Sequence, residues 1–523
     1  MDYLLHQLLM TSEQQFETKT AVADQISEIS YSEFASRSAF VAQRLLDAGL
    51  RRGDRVAVYC NHSIDLAVSI FAISAAGGVF VPINHQLFPT QIRHILCDSE
   101  AKFLLTHKRM PVKSGELTGN NQLPHRSFFM EELVGEAKLQ RHTGAIENDL
   151  AAILYTSGST GLPKGVMLSH RNLIAGSQIV SEYLGLSKDD RLLGILPLSF
   201  DYGLNQLITM VANGGTYRFF SFNWPNEIVD ALESFDITGL AGVPSLWILL
   251  SRSRIGNPPL PHLRYITNSG GAIPVPVLEL LRKKIPDTDV VLMYGLTEAF
   301  RSTFLPPTEL EKRPTSMGKA IPNTEIFVVS EDGKLCAPNE PGILVHRGPT
   351  VALGYWKKTQ ETQERFRTME LAHRPELQGE RVVYSGDIVR MDEQGFLYFM
   401  GRRDAMIKSS GYRISPTEIE GVAFKSGLIK EVAAIGYKHE TVGQRIKLMV
   451  VPVGEEPDIE QRLISFCSRN VPSYMVPGAV ELVDAIPKTP TGKIDYPLLY
   501  RQTHGANEME RKNADHGHSQ TVA

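Results

Sequence analysis

Cysteine is scarce in this chain. Four are spread over 523 residues, at Cys60, Cys97, Cys336 and Cys467, with no Cys-x-x-Cys spacing. That distribution excludes a disulfide framework or a cysteine-based zinc site and predicts reduced thiols. An excess of charge of one sign is also missing. Lys plus Arg total 54 against 58 for Asp plus Glu, a formal charge of −4, which removes any whole-chain attraction for nucleic acid. Long apolar runs are absent too. The stretch Met1-Asp-Tyr-Leu-Leu-His-Gln-Leu-Leu-Met10 is too short to span a bilayer, and with Asp2 and no basic flank it makes a poor secretory leader. Leu4, Leu5, Leu8 and Leu9 instead have the spacing of a short amphipathic helix. The reading is a cytoplasmic protein with no membrane span and no nucleic-acid partner.

What is present is ordinary globular material, 42% hydrophobic and 21% charged. At roughly 100–200 residues per domain the length allows two to four compact units. Strand-like runs at 55–59, 78–82, 237–243, 263–267 and 289–293 alternate with helical patterns at 63–73 and 277–284. Such alternation predicts an α/β region on mainly parallel strands, with ligands beyond the strand C-termini. After about residue 320 the strands at 325–330, 342–347 and 395–400 come close together between glycine turns, predicting an antiparallel, barrel-like part. Beyond Arg403, a helical pattern at 416–425 and strands at 432–435 and 447–452 predict a small α+β domain. The expected division is 1–403, 404–501 and a polar tail, 502–523. The three histidines of that tail, His504, His516 and His518, read as disorder rather than a metal site.

The strongest chemical signal follows the apolar run Leu150-Ala-Ala-Ile-Leu-Tyr155. It is Thr156-Ser-Gly-Ser-Thr-Gly-Leu-Pro-Lys-Gly165. Gly158 and its small neighbours let backbone amides approach an anion, Thr156, Ser157, Ser159 and Thr160 add hydroxyl donors, and Lys164 adds a point charge. A Walker A loop needs Gly directly before Lys, and Leu162-Pro163 stand there instead. A flexible Ser/Gly linker would need neither the lysine nor the preceding buried strand.

This segment resembles the phosphate-loop signature of the adenylate-forming superfamily, which contains acyl-CoA synthetases, stand-alone amino-acid adenylating enzymes and luciferases. Tyr294-Gly-Leu-Thr-Glu298, Tyr384-Ser-Gly-Asp387, Gly401-Arg-Arg-Asp404, Lys408-Ser-Ser-Gly-Tyr-Arg-Ile414 and Pro490-Thr-Gly-Lys493 resemble the family's later motifs, in the same order. Within it, Leu198-Ser-Phe-Asp-Tyr-Gly-Leu204 and Gly295-Leu-Thr-Glu-Ala-Phe-Arg-Ser302 resemble exosortase-associated AMP-forming ligases and stand-alone prolyl carrier-protein ligases.

The resemblance implies ATP and magnesium. The 156–164 loop would hold the β- and γ-phosphates, with Gly271 and Ala272 beside the nucleotide. Tyr294 and Gly295 would meet adenine, Thr297 a phosphate, and Glu298 the metal. Asp387 would accept from the ribose hydroxyls and Arg402 would assist. Lys493 would be the catalytic lysine, neutralising charge as acyl-AMP forms. The small domain would then turn about Asp404 and present the glycine loop around Gly411 to a phosphopantetheine thiol.

The same resemblance puts Asp201, Tyr202, Asn205, Asn268, Gly270 and Arg301 at the carboxylate pocket. Asp201 either pairs with a substrate ammonium or caps the helix that follows it. Arg301 binds a second substrate carboxylate, pairs with Asp201, or faces solvent. The expected activity is formation of an acyl-AMP and then a thioester. The favoured version loads an amino acid onto a separate carrier protein; the alternative joins a non-amino acid to free coenzyme A. A non-catalytic nucleotide-binding protein is the remote third reading, set against the presence of Lys493, Glu298 and Asp387.

Overall fold

The computed structural model describes residues 2–112, 126–141, 144–156, 163–369, 377, 379–403, 406–409, 412–439, 443–454, 457–489 and 492–504. Among these residues the strands form four sheets. The first has nine strands, in the order Lys319–Ala320, Ala299–Leu305, Asp289–Leu296, Tyr265–Asn268, Gly239–Gly242, Arg191–Gly194, Thr216–Phe219, Thr20–Ala23 and Glu28–Ser30. Its central pairings are parallel, and antiparallel strands close both ends. The second has seven strands with a parallel centre formed by Val79–Pro82, Arg55–Tyr59 and Phe103–Thr106.

One continuous core joins these two sheets. It takes Val56, Val58 and Leu154 from one, Leu192, Tyr217 and Phe219 from the other, and side chains from the helices Leu5–Phe16, Tyr31–Asp47, Ile64–Ala75, His170–Leu184 and Asp201–Ala212. The 64–75 helix shows why. Eleven of its residues, all but Asp65, are buried, as expected of a helix apolar on every face. The expected N-terminal amphipathic helix is present and buries Leu5, Leu8 and Leu9. Among the described residues no helix is long and apolar enough to cross a membrane.

The third sheet is antiparallel, as the close strand spacing predicted: Glu325–Val329, Gly342–Arg347, Arg381–Met391 and Phe366–Thr368, with Leu397–Arg402 on the 381–391 strand. The fourth belongs to the small C-terminal α+β unit. Ile407–Ser409, Tyr412–Ile414, Ile429–His439, Gly443–Pro452 and Ala479–Leu482 form it, and its core takes in Ile419 of the helix Pro416–Phe424 and Leu463 of the helix Ile459–Asn470. The chain is thus a large α/β part rich in parallel strands with a smaller α+β part after it.

Two sequence expectations shift. The strand expected at 289–293 runs on to Leu296 and folds back as Ala299–Leu305, so the 294–298 motif forms the end and turn of a hairpin. The last helix spans Tyr496–His504, three residues into the expected tail, because Leu499 is buried with Ala433, Ile435 and Met449. Residues 505–523 lie outside the described residues.

Candidate active site

The apolar strand Leu150–Thr156 pairs antiparallel with Lys164–Ser169, and Thr156 stands opposite Lys164. The glycine- and serine-rich segment joins these two strands in sequence. Ser157, Gly158, Ser159 and Thr160 lie outside the described residues, as do Asp404 and Gly411. Lys164 reaches Glu361 at 4.0 Å and stands 5.9 Å from the centre of the Tyr355 ring. Tyr355, on a short strand paired with 164–169, donates its hydroxyl proton to Glu298 Oε1 at 2.5 Å. Burial and the charge of Glu298 push its phenol far above the usual range, so it remains a donor at neutral pH. One tyrosine, on the strand next to 164–169, thus bonds the carboxylate at the turn of the 289–305 hairpin.

Tyr294 precedes that turn. Its ring lies 6.0 Å from the buried His346 ring at an interplanar angle of 15°, and its hydroxyl donates to Asp387 Oδ2. Burial holds His346 at a pKa of about 3, so the imidazole is neutral. The other oxygen of Asp387, Oδ1, is buried without a hydrogen bond, although Arg402 Nε lies 3.4 Å away. An acceptor in that state suits a hydroxyl group, which a nucleotide ribose supplies.

Asp201 is the first residue of the 201–212 helix, and Phe200 occupies the capping position. The cap expected as one role for Asp201 is therefore not formed, since the side chain begins one residue too late to serve as N-cap. Instead Asp201 is buried beside Arg301, whose Nη1 stands 3.7 Å from its Oδ2. Arg301 also donates to the Asp201 backbone carbonyl at 3.3 Å, lies 4.9 Å from the Tyr202 ring centre, and is only 2% exposed, which eliminates a solvent-facing role. Thr297 Oγ1 adds a 3.5 Å contact to Asp201 Oδ1. Burial raises the Asp201 pKa, with Arg301 and Lys493 opposing the shift.

Lys493 arrives from the small unit. Its ammonium lies 5.4 Å from the Phe200 ring centre, and the Ser245 hydroxyl holds the neighbouring Gly492 carbonyl at 3.1 Å. Gly270, at φ +86°, makes room: a Cβ there would stand 2.8 Å from Lys493 Cε. Burial lowers the Lys493 pKa, while Asp201, Asp387 and Glu298 raise it and Arg402 adds to the lowering. Desolvation favours the neutral amine, and three carboxylates around the cleft hold the proton on it. The carboxamide of Asn268 donates to the Gly271 carbonyl at 2.8 Å and shapes the turn that also carries Gly270 and Ala272.

The structure thus gathers Asp201, Thr297, Glu298, Asp387, Arg402 and Lys493 from both units around one cleft, with Tyr294 and Gly270 in its walls. Gly295 packs against Arg301, and Tyr202 and Asn205 lie behind, on the buried side of the helix. For a divalent cation the cleft offers Glu298. Among the described residues no group of three or more His, Cys, Asp or Glu converges, and Glu298 is the carboxylate at the turn of the 289–305 hairpin that could meet a cation. That donor set suits magnesium, which keeps phosphate and water oxygens as its other ligands.

Sequence reasoning missed Tyr355, His346 and Gln206. Tyr355 and His346 meet Glu298 and Tyr294 from distant stretches of chain, and the buried amide of Gln206 has no hydrogen-bond partner, so none of the three carries a local signal.

The model of the AMP-binding enzymes matches residues 9–356, and that of their C-terminal domain matches residues 418–493. Tyrocidine synthase 1 of Brevibacillus parabrevis is 27% identical over 97% of this chain and 46% of its own length. The long-chain-fatty-acid–CoA ligase of Escherichia coli O157:H7 is 29% identical over 87% of this chain and 86% of its own. The chain spans less than half the length of several relatives, and only 6% of one linear gramicidin synthase polypeptide from Brevibacillus parabrevis. The ATP-bound structure of MatB from Rhodopseudomonas palustris superposes with a TM-score of 0.86 at 26% identity, covering 96% of this chain and 99% of that one. With two family models matched in order along one chain and a cleft built from both of the matched regions, the protein belongs to the AMP-binding enzymes.

Proposed function

We propose that the protein is an ATP- and magnesium-dependent acid–thiol ligase working in two steps. In the first, an oxygen of the substrate carboxylate attacks the α-phosphorus of ATP and pyrophosphate leaves. In the second, a pantetheine sulfur attacks the acyl carbon, AMP leaves, and the thiol proton passes to solvent. The observation that carries this reading is the half-buried Lys493, its ammonium 5.4 Å from the Phe200 ring centre at the head of the Asp201 helix and within the electrostatic reach of Asp201, Asp387 and Glu298. A carboxylate approaching a phosphate brings two anions together, and a desolvated ammonium aimed there stabilises the transition state more than the separated reactants.

The roles proposed are those the motif resemblance implies. Thr156 and Lys164 flank the phosphate loop, whose Ser157, Gly158, Ser159 and Thr160 would bind the β- and γ-phosphates. Asp387 would accept from the ribose and Tyr294 would stack on adenine. Glu298 would hold the magnesium ion, which supplies charge neutralisation at the phosphates when bound. Thr297 would donate to the α-phosphate. In the second step the small unit would turn about Asp404, withdrawing Lys493 and bringing Gly411 to the cleft; we take 1–403, 404–501 and 502–523 as the functional division.

For the acid we propose an amino acid or another amine-bearing acid, loaded onto the phosphopantetheine of a carrier protein. The 3.7 Å contact between Arg301 and Asp201 is beyond hydrogen-bond distance, so the carboxylate keeps capacity for a closer ammonium. A second reading has an observation of its own. Arg301 already gives Asp201 a buried counter-charge, so a non-amino acid joined to coenzyme A leaves no lone charge in the pocket. Pyrophosphate exchange across amino acids and their des-amino analogues separates the two. We expect the amine-bearing acid to lead by a factor of hundreds and Asp201→Asn to narrow that lead. If des-amino acids lead and Asp201→Asn leaves the ratio unchanged, the coenzyme A ligase reading replaces it.

A further inference from the structure

The helix Pro89–Ser99 meets both strands that flank the phosphate motif. His94 and Asp98 stand four residues apart on it, and so share one face. Each grips a different strand. His94 Nε2 lies 3.0 Å from the Pro163 carbonyl oxygen, at the foot of the strand Lys164–Ser169. A carbonyl only accepts, so this ring nitrogen carries the proton. Asp98 Oδ2 accepts from the Tyr155 hydroxyl at 2.7 Å, at the end of the strand Leu150–Thr156. Burial and the Asp98 charge push the Tyr155 phenol far above its usual range, which keeps it a donor. The His94 and Tyr155 rings meet edge to face with centroids 6.4 Å apart. Trp356 closes the arrangement. Its indole donates to the Asp98 carbonyl at 2.9 Å, while its amide donates to the Gly165 carbonyl at 2.7 Å.

One helix face therefore fixes the chain on both sides of the motif. Donors must converge on an anion, and holding them in place before it arrives lowers the ordering cost of binding. The peptide that joins Pro163 to Lys164 also has a direction. In a trans peptide the C=O and N–H point opposite ways. The imidazole that holds the Pro163 oxygen thus orients the Lys164 amide and keeps that oxygen from turning towards a phosphate. We propose that His94 and Asp98 are positioning residues for triphosphate binding, setting the entry and exit of the 156–164 segment from the 89–99 helix. The proposal rests on reading that segment as the phosphate site of the ligase.

The test is equilibrium binding, with magnesium present, of AMP and of a non-hydrolysable ATP analogue, since only the analogue carries β- and γ-phosphates. His94→Leu removes the donor and should weaken the analogue about fivefold, with AMP affinity unchanged. His94→Gln offers an amide N–H at similar reach and should restore most of that loss. Tyr155→Phe keeps the ring and should weaken the analogue about 3–5-fold; it reads the second grip even where His94→Leu fails to fold. In pyrophosphate exchange the KM for ATP should rise in both weakened variants while kcat holds. Equal weakening of AMP and the analogue, or no weakening in either variant, overturns the proposal and leaves the ligase reading intact. Wild-type protein that binds the analogue no more tightly than AMP overturns the phosphate reading of the segment together with it.

Discussion

Each unit of the protein holds a carboxylate out of full contact with water in a different way, Asp201 buried and Glu420 half-buried. In the large unit Asp201 has a guanidinium beside it at 3.7 Å and a threonine hydroxyl at 3.5 Å, both long contacts. In the small unit Glu420 has no cation beside it among the described residues. One of its oxygens accepts from the Ala434 amide at 2.7 Å and the Tyr496 hydroxyl at 2.5 Å, both short contacts. Burial raises both pKa values, that of Glu420 to about 7. Glu420 joins the 416–424 helix to the strand 429–439 and to the first turn of the final helix, which begins three residues after Lys493. The two hydrogen bonds of Glu420 link a helix, a strand and the final helix, whereas the contacts of Asp201 are longer and made to a guanidinium and a hydroxyl.

Breaking the Asp201 pair should have the largest effect. Arg301→Leu leaves a buried carboxylate without its cation, and we expect unfolding free energy to fall by about 3–5 kcal/mol in urea titrations. The double change Asp201→Leu with Arg301→Leu should recover most of that loss. If it does not, the pair is not what the single change disrupts.

Lys493→Ala tests the meeting of the two units. Acyl-AMP formation should slow by roughly 10²–10³, by analogy with lost oxyanion donors. Thioester formation from preformed acyl-AMP should change far less. Equal damage to both half-reactions, measured separately by pyrophosphate exchange and by thiol capture, would contradict the two-step domain movement.

Glu420 gives a pH signature that Asp201 shares only in direction. Its folded pKa of about 7 exceeds the ordinary 4.5, so the folded unit holds the proton more tightly than the unfolded chain. The associated stability is complete below about pH 4.5 and is lost as pH rises towards 7, a span worth ~3 kcal/mol. Hydrogen exchange of the 416–504 segment should therefore quicken between pH 5 and pH 8. Glu420→Gln should flatten that dependence, and an unchanged slope would assign it to other groups.

The smallest expected effect is at Tyr355. Tyr355→Phe removes the donor to Glu298 without opening a cavity, a loss of about 1 kcal/mol. It should weaken the binding of manganese with a non-hydrolysable ATP analogue, followed by electron paramagnetic resonance, by about fivefold.

Much of the fold was legible because it is local. Alternating apolar runs announced the two parallel-rich sheets, and close strand spacing announced the third. The hairpin at 289–305 was not, since Gly295 through Glu298 carries the family motif and masks the continuation of the strand through its turn. At the site, the motif residues Lys164, Tyr294, Glu298, Asp387 and Lys493 were all named from the chain. Their partners Tyr355 and His346, and the buried Gln206 side chain, were not.

What the amino-acid sequence determined by itself was the family, the order of its motifs and the class of chemistry that the family carries. Those properties reside in contiguous stretches whose spacing survives without knowledge of the fold. The tertiary structure alone decided which charge answers which. It set Arg301 against Asp201 across a hundred residues of chain, Lys493 against Gly270, and His94 against Pro163. The physical reason is that burial sets the energy of a charge or an amide, and burial depends on non-local packing.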